Sequence, residues 1–366
     1  MNILLSVWNT IQDNLFPFFE EILEPLSEKE QQFIQVVTLM NPQNHVSNYK
    51  WKGIGRKPED RLSMLKAFIA KAVYNNETTE MLIENLHNYK NLRRLCGWEY
   101  SFQVPSASTF SRVFGQFSED KLAVRIHEAM ITEYCGPKLA GHVSRDSTEI
   151  DAREKPAKKE KKEHDDTRPK RKRGRPKKGE VVQPEPLKRL EIQPLRTLEE
   201  NLADLPEVCD VGTKKDSKGH KTSWIGYKLH IDTIDGDIPV SAVLTSASLH
   251  DSQVAVPLAQ MTAQRIVNLY DLMDSAYDAA PIKNFCSGLG HVPIIDHNPR
   301  RGEKMEMSPA AKTRYAQRSS AERVNSDLKD NHGGSRIRVR GSAKIMTQLM
   351  FGLIVITAAQ LIRLIV

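Results

Sequence analysis

Four side chains near the end of the chain have types and a spacing that suit work on a phosphate. The segment RYAQRSSAERVNSDLKD contains Tyr315, Arg318, Glu322 and Lys329. At about 100° per residue, these positions fall within roughly 60° of each other, on one face of a single predicted helix. A carboxylate can hold a divalent cation, while guanidinium and ammonium groups bind phosphate. The stripe therefore predicts a surface that holds a metal ion beside a phosphate. An exposed helix with ordinary ion pairs is the alternative.

Two aspartates lie where they could join Glu322. Asp274 follows a nearly continuous apolar run, residues 266–273, which predicts a strand buried on both faces. Asp146 closes a shorter β-prone run and is followed by Ser147 and Thr148. Ligand sites in open α/β sheets gather at the carboxyl ends of strands, so we expect both aspartates at one site. Taken singly, either aspartate could instead be a helix cap or a turn residue.

The order of these acids, together with the spacing Tyr-x2-Arg-x3-Glu-x6-Lys, resembles the signature of a large group of bacterial insertion-sequence transposases. The resemblance implies a DDE transposase that cleaves DNA at transposon ends and transfers the strands into target DNA. It implies that Asp146 bridges two metal ions, while Asp274 and Glu322 each hold one. The expected ion is Mg²⁺, with Mn²⁺ as a substitute.

The same resemblance implies roles for the remaining members of the signature. Arg318 and Lys329 are expected to grip phosphates of the transposon end, and Tyr315 to hydrogen-bond a backbone phosphate. A covalent nucleophile is a rival role for Tyr315. Cleavage and joining are both in-line displacements at phosphorus, so the protein's task is mainly positioning and charge stabilisation. Two divalent ions about 4 Å apart suit this chemistry.

The segments around the acids predict a ribonuclease-H-like α/β core between residues 138 and 345, with a mixed sheet and helices on both faces. TSWIGYKLHIDTI and DIPVSAVLTSASLHDS predict two strands joined at Asp235-Gly236-Asp237. A helix, the Asp274 strand, another helix, a strand in HVPIIDHN and the signature helix follow, a pattern typical of an α/β layer structure. GYKLHI and SLHDSQ also resemble family landmarks. His230, His250 and Asp251 are therefore candidates to line the site, with local structural hydrogen bonding as the alternative.

The first part of the chain, residues 1–135, is predicted to be helical. Apolar residues recur at helical spacing in residues 62–73 and 81–92. The region resembles the all-α N-terminal domain of the same transposases, which implies recognition of the terminal inverted repeats. Basic residues in KNLRR, namely Lys90, Arg93 and Arg94, could touch phosphates, or form a solvated helix face.

The last segment, residues 346–366, is apolar and about long enough to cross a membrane. Gln348, Gln360 and Arg363 interrupt it. We therefore predict a buried packing helix behind the sheet, covering the apolar back of the helix that carries Glu322, and no membrane partner.

Positive charge is concentrated in one segment of the chain. The whole chain carries a net charge of +7, and residues 155–180 contain 13 Lys/Arg and 5 Asp/Glu, which gives +8 for that stretch alone. This low-complexity composition predicts disorder, within an insertion at residues 152–210. Arg173-Gly174-Arg175-Pro176 resembles the core of an AT-hook. Glycine permits close approach, proline keeps the chain extended, and the arginines enter a narrow minor groove. A generic basic linker that binds phosphates is the alternative.

Cysteine usage and the N-terminal segment indicate where in the cell the protein is expected to work. The four cysteines lack CxxC spacing, so neither a zinc site nor a disulfide framework is indicated. Asp13, Glu20 and Glu21 interrupt the apolar N-terminal run, unlike a signal peptide. We expect a bacterial cytoplasmic, nucleoid-associated protein, and a homodimer in the synaptic complex because two DNA ends must be paired.

Two alternative functions of different kinds remain open. One is a ribonuclease-H-like nuclease that hydrolyses DNA without strand transfer. The other is a non-catalytic AT-hook DNA-binding protein, against which three convergent carboxylates argue. Only about 48 residues separate Asp274 from Glu322, which leaves little room for the β-rich insertion of some relatives. Trp224 is therefore not assigned the base-stabilising role of that insertion, and the way the second strand is cut stays open.

Overall fold

The computed structural model describes residues 2–365, except for residues 24, 48, 50, 52, 54, 56, 137, 159–186, 216–218, 300 and 301. The AT-hook-like residues Arg173, Gly174, Arg175 and Pro176 lie outside the described residues, so that assignment stays a prediction.

The regular elements described before residue 136 are all helical, as predicted. Three of these helices begin at side-chain caps that satisfy their first backbone N–H groups. Asp60 accepts a hydrogen bond from Ser63 N, Thr78 accepts one from Met81 N, and Ser27 forms a capping box with Glu30. The helices are α1 (Asn2–Thr10), α2 (Phe16–Ile22), α3 (Glu28–Met40), α4 (Gln43–Val46), α5 (Arg61–Val73), α6 (Thr79–Asn88), α7 (Lys90–Cys96), α8 (Ala107–Glu119) and α9 (Leu122–Tyr134).

The chain after residue 138 is built on a mixed six-stranded sheet. Its strands are β1 (Leu139–Asp151), β2 (Asp210–Lys215), β3 (Lys221–Ile234), β4 (Ile238–Ser246), β5 (Val267–Met273) and β6 (Val292–Ile295). The strand path is β2-β3-β1-β5-β6, and β4 pairs with the second half of β3. Strands β1, β5 and β6 are parallel, while β3 is antiparallel to β1. The predicted hairpin joins β3 to β4 through Gly236 and Asp237, which both adopt positive φ.

Helices cover both faces of this sheet. They are α10 (Arg189–Ile192), α11 (Leu198–Asp204), α12 (Ala255–Ala263), α13 (Ala280–Gly288), α14 (Pro309–Tyr315), α15 (Ser319–Asn331) and α16 (Ser342–Arg363). Alternate residues of β4 face opposite layers: Val243 packs with α12, whereas Ala242 and Leu244 join the core that contains α16. The predicted ribonuclease-H-like core, with a mixed sheet and helices on both faces, is therefore confirmed.

Helix α16 lies at the centre of the molecule. It contacts α3, α5, α8 and α9 as well as β4 and α15. It is the one described helix long and apolar enough to cross a membrane, but 83% of its most apolar stretch is buried within the protein. The prediction of a buried packing helix is confirmed. Gly352 allows the closest approach, because a Cβ there would lie 2.6 Å from Leu328 Cδ1 and 2.8 Å from the His332 carbonyl oxygen.

The structure corrects three expectations. Asp146 does not end a short strand, because β1 continues to Asp151 where β3 pairs with it. Strand β5 is not buried on both faces, since Val267 and Leu269 are 61% and 45% exposed near its start. The insertion at 152–210 is not disordered throughout. Its last part forms α10 and α11, and apolar residues of α11 pack against the α12 layer.

The N-terminal helices and the sheet share one hydrophobic core, because α16 packs against both. The domain limits at residues 1–135, 138–345 and 346–366 remain predictions.

Candidate active site

The three acids come from three separate elements that meet at one edge of the sheet. β1 pairs with β5 only as far as Arg145, which is in register with Met273. Asp146 and Asp274 are therefore the next residues of two adjacent parallel strands, so both lie at the carboxyl end of their parallel pairing. Helix α15 packs against β1 and β3 and carries Glu322 in its first turn.

Helix α15 is attached to the sheet on both sides of Glu322. The Ser144 hydroxyl donates to the Gln317 carbonyl oxygen at 3.1 Å, in the turn just before the helix. Ser320 and Arg323 both bind Asp237 in the β3–β4 turn, Ser320 at 2.8 Å and Arg323 through two bonds of 2.7 and 2.6 Å. These contacts hold the first turn of α15 over the end of β1.

The signature helix is not one continuous α-helix. α14 ends at Tyr315, a 3-10 turn follows from Ala316 to Arg318, and α15 begins at Ser319. The prediction that all four signature residues share one α-helix is corrected to this extent. Tyr315 and Arg318 nevertheless stay close, with the guanidinium carbon 5.8 Å from the tyrosine ring centre. The tighter turn does not separate the two side chains.

Arg318 is the cation among the three acids. Its guanidinium forms an ion pair with Glu322 one turn along the helix, and Nη1 lies 3.8 Å from Asp146 Oδ1. Burial raises the pKa of Asp274, and the charge of Arg318 opposes that rise. Asn325 adds a hydrogen bond from Nδ2 to Asp146 Oδ2 at 3.2 Å. Arg318 therefore connects Glu322 to both aspartates.

The aspartates are held in an environment that disfavours their charged forms. Burial, with smaller contributions from the charges of Asp274 and Glu322, raises the pKa of the Asp146 carboxyl to about 6 against the opposing effect of Arg318. Burial also raises the pKa of Asp274, helped by the nearby Asp251. Such mutual repulsion is expected where carboxylates converge to share a cation.

Lys329, the last member of the signature, lies beside this cluster, next to a residue further along β1. Its Nζ is 3.0 Å from Glu149 Oε1, near the end of β1. Spacing alone could not have found Glu149 or the support that Asn325 gives to Asp146. Glu149 is three residues after Asp146 in a strand, which puts the two on opposite faces. The sequence contained a weak indication that Asn325 belongs to the site, because it is one turn after Glu322 on the same helix face.

The landmark residues form a second polar group beside the acids. Lys228 Nζ binds Asp251 Oδ1 at 2.8 Å. His230 is fully buried, with Nε2 3.0 Å from the Thr245 hydroxyl and Nδ1 4.0 Å from Asp251 Oδ1. His250 is exposed, and its charge would oppose the rise in the Asp274 pKa that burial causes. The structure brings Asp251 and His250 close to the site, and places His230 behind Asp251.

A buried ion pair supports the strands just beneath the acids. Arg145 Nε donates to Asp232 Oδ1 at 2.7 Å and Nη2 donates to Oδ2 at 2.6 Å. Both side chains are almost fully buried, at 1% and 0% exposure. Thr262 also donates to Asp232, at 2.7 Å. Arg145 joins β1 to β3 at the residue that precedes Asp146.

Two family models match different parts of the chain. Residues 193–358 match the transposase DDE domain, and residues 20–116 match a transposase domain, DUF772. The first match contains Asp274 and Glu322, whereas Asp146 precedes it on the far side of the basic insertion. No curated protein matches the chain.

The ribonuclease-H-like fold and the DDE domain define an enzyme of the polynucleotidyl transferase type. The two matches together span more than two thirds of the chain. The chain belongs to the DDE transposases, as its resemblance to the insertion-sequence enzymes predicted. Transposases act on DNA, and DDE domains generally use divalent metal ions.

The residues at the site fit such an ion chemically. Carboxylate oxygens are the ligands that Mg²⁺ prefers, and the carboxylates of Asp146 and Glu322 already lie beside a positive charge, that of Arg318. The Tyr277 hydroxyl is buried without a hydrogen-bond partner among the described residues, and burial raises its pKa, with smaller contributions from the charges of Asp251, Asp146 and Asp274. Within the described residues, however, the side chains do not yet form a closed set of three metal ligands. Glu322, which is exposed and bound to Arg318, is the acid that would have to reorient.

Proposed function

We propose that this protein cleaves DNA at the ends of its transposon and transfers the resulting strands into target DNA, with Asp146, Asp274 and Glu322 as its catalytic acids. The observation that carries the proposal is the electrostatic coupling of three carboxylates from β1, the end of β5 and α15, with Arg318 between them. A structural role does not require acids from three distant segments to repel one another in a partly buried place.

The same three acids are the proposed ligands of two Mg²⁺ ions, with Mn²⁺ as a substitute. When bound, these ions would activate the attacking oxygen and stabilise the leaving oxygen of an in-line displacement. Asn325 keeps the Asp146 carboxylate oriented through its hydrogen bond at 3.2 Å. The buried Arg145–Asp232 pair keeps β1 and β3 in register beneath it.

The basic members of the signature are proposed to hold the DNA backbone. Arg318 presents a planar fork that can bind a phosphate through two hydrogen bonds, and Lys329 acts as a point charge at the end of β1. Both are only partly buried, so phosphate can reach them once they leave Glu322 and Glu149. Tyr315 is proposed to donate a hydrogen bond to a backbone phosphate.

The partners follow from this reaction. The N-terminal helices are proposed to bind the terminal inverted repeats, and the basic insertion with Arg173, Gly174, Arg175 and Pro176 to bind A/T-rich DNA. Two protein copies would pair the two ends, which requires a homodimer in the synaptic complex. The reaction would take place on bacterial DNA in the cytoplasm.

A strand-transfer assay tests the proposal. Purified protein is mixed with a DNA fragment carrying the element's own ends, a supercoiled target plasmid, and Mg²⁺ or Mn²⁺. We expect joined product with the wild-type protein and none with Glu322→Ala. Asp330→Ala is the matched control, because Asp330 is an exposed acid on the same helix, and its removal should leave joining intact.

The other outcomes contradict the proposal in distinct ways. Metal-dependent nicking without joined product would identify a nuclease. DNA binding with no cleavage in either metal would favour a non-catalytic DNA-binding protein. Equal loss of product in Glu322→Ala and Asp330→Ala would mean that Glu322 has no special role.

A further inference from the structure

Two aromatic rings lie stacked on the surface between α7 and α8. The ring centres of Tyr100 and Phe102 are 5.5 Å apart and their planes differ by only 7°. Tyr100 is 57% exposed and Phe102 is 83% exposed. Aromatic side chains normally bury most of their large surface. An exposed pair of this kind needs a partner that covers it.

The stack is held rigidly by the turn that presents it. The Tyr100 backbone N–H donates to the Gln103 side-chain oxygen at 2.9 Å, and the Gln103 N–H donates to the Tyr100 carbonyl oxygen at 3.0 Å. Between the two rings, the Ser101 hydroxyl lies 2.6 Å from His87 Nδ1 at the end of α6. A preorganised aromatic surface loses little conformational entropy when it binds.

Basic residues lie on the helix that precedes the rings, and Arg94 interacts electrostatically with Tyr100. Helix α7 carries Lys90, Arg93 and Arg94, and Glu99, just after the helix, is the one acid between residues 89 and 103. Arg94 binds Glu99 directly, and this bond lowers the pKa of Glu99 together with the charges of Arg94, Lys90 and Arg93. Three cations face one carboxylate, so this surface is net positive while most of the chain outside the basic insertion is close to neutral.

Rigid exposed rings beside a net positive charge are the combination that binds unpaired nucleic acid, in which cations hold phosphates and rings stack on bases. We propose that the Tyr100–Phe102 stack is a platform for unpaired bases of the DNA that the transposase processes. The proposal rests on the proposed function and adds that the N-terminal region holds unpaired bases as well as duplex. Base pairs in the interior of a duplex cannot use the rings, because both of their faces are already stacked.

The test compares two DNA probes that differ only in unpaired bases. One is a short blunt duplex, and the other is the same duplex with a single-stranded thymidine tail. Affinities of the full-length protein are measured by fluorescence anisotropy at one fixed salt concentration, with EDTA to prevent cleavage. Charge contacts act on both probes, so the ratio of the two affinities isolates stacking.

We expect the wild-type protein to prefer the tailed duplex. Tyr100→Ala/Phe102→Ala should reduce this preference by about five- to 150-fold, the range for stacking of one base, and leave blunt-duplex affinity unchanged. Tyr100→Phe keeps the ring and should keep the preference. Phe18→Ala is the control, since Phe18 is an aromatic residue 53% exposed on α2.

The inference is overturned if the double variant keeps the preference for the tail. It is also overturned if the variant loses affinity for both probes equally, which would assign the rings to folding or to contact with duplex. If the wild-type protein binds neither probe, the proposed function fails together with the inference. If it binds both probes equally, only the inference fails.

Discussion

The buried Arg145–Asp232 pair offers a direct test of what burial does to an ion pair in this protein. A second pair, Arg323–Asp237, has nearly the same geometry. Both use two hydrogen bonds, of 2.7 and 2.6 Å, between a guanidinium and a carboxylate. Arg145 is 1% exposed and Arg323 is 54% exposed. Replacing each arginine by methionine removes the same two guanidinium–carboxylate bonds, once in the protein interior and once at the surface.

The expected costs differ several-fold. Arg145→Met leaves the Asp232 carboxylate buried without its counter-ion, a change that typically costs about 3–5 kcal/mol. Thr262 still donates to Asp232 at 2.7 Å, so we expect the free energy of unfolding to fall by about 3 kcal/mol, the low end of that range. Arg323→Met removes a solvent-screened pair and should cost less than about 1 kcal/mol. Urea unfolding followed by circular dichroism measures both changes in the free energy of unfolding.

The pH dependence gives the same test a second readout. Burial raises the pKa of Asp232, and Arg145 and Thr262 oppose this effect. Without Arg145 the folded-state pKa rises further above the unfolded one. The variant is then most stable at low pH, where Asp232 is neutral, and it loses stability as pH rises through the folded-state pKa and the buried carboxyl becomes charged. Arg145→Met should therefore cost more at pH 8 than at pH 5.

The double variant Arg145→Met/Asp232→Leu removes both charges and should recover most of the stability lost in Arg145→Met. The reasoning is refuted if Arg145→Met costs no more than Arg323→Met, or if its cost is independent of pH. Because Arg145 precedes Asp146, the single variant should also lower strand-transfer activity more than its stability loss alone would.

Three further predictions concern Asp146, Gly352 and Lys329. Burial raises the Asp146 pKa to about 6, so stability falls as pH rises through that value. Asp146→Asn should then stabilise the protein by up to about 3 kcal/mol at pH 8 and by nothing below pH 4, measured by urea unfolding. Gly352→Ala should cost about 1–3 kcal/mol in the same assay, because its Cβ would clash with α15. Gly115→Ala, with its nearest atom 3.9 Å away, should cost nothing; equal costs would contradict the packing argument. Lys329→Ala should weaken duplex binding and lower its salt dependence by about one ion, whereas Lys329→Arg should retain it; an unchanged slope would remove Lys329 from the DNA contacts.

Local patterns were enough to predict much of the catalytic fold. The β3–β4 hairpin was predictable because Asp235-Gly236-Asp237 suits the positive φ values found in the turn. Asp274 at the end of β5 was predictable because a nearly continuous apolar run indicates a strand, and the helix that carries Glu322 was predictable from the spacing of its four signature residues. The limits of β1 were not, because its extension to Asp151 depends on pairing with β3 far along the chain.

The sequence by itself determined which side chains could do the chemistry, since residue type and spacing within one element survive folding. Only the tertiary structure decided which charges meet. Arg318 lies between Asp146 and Glu322, Lys329 meets Glu149, and Arg145 finds Asp232. Each of these pairs except Arg318–Glu322 joins residues that are far apart in the sequence. Their distances depend on sheet register and on how α15 packs, and both are set by the shared core around α16.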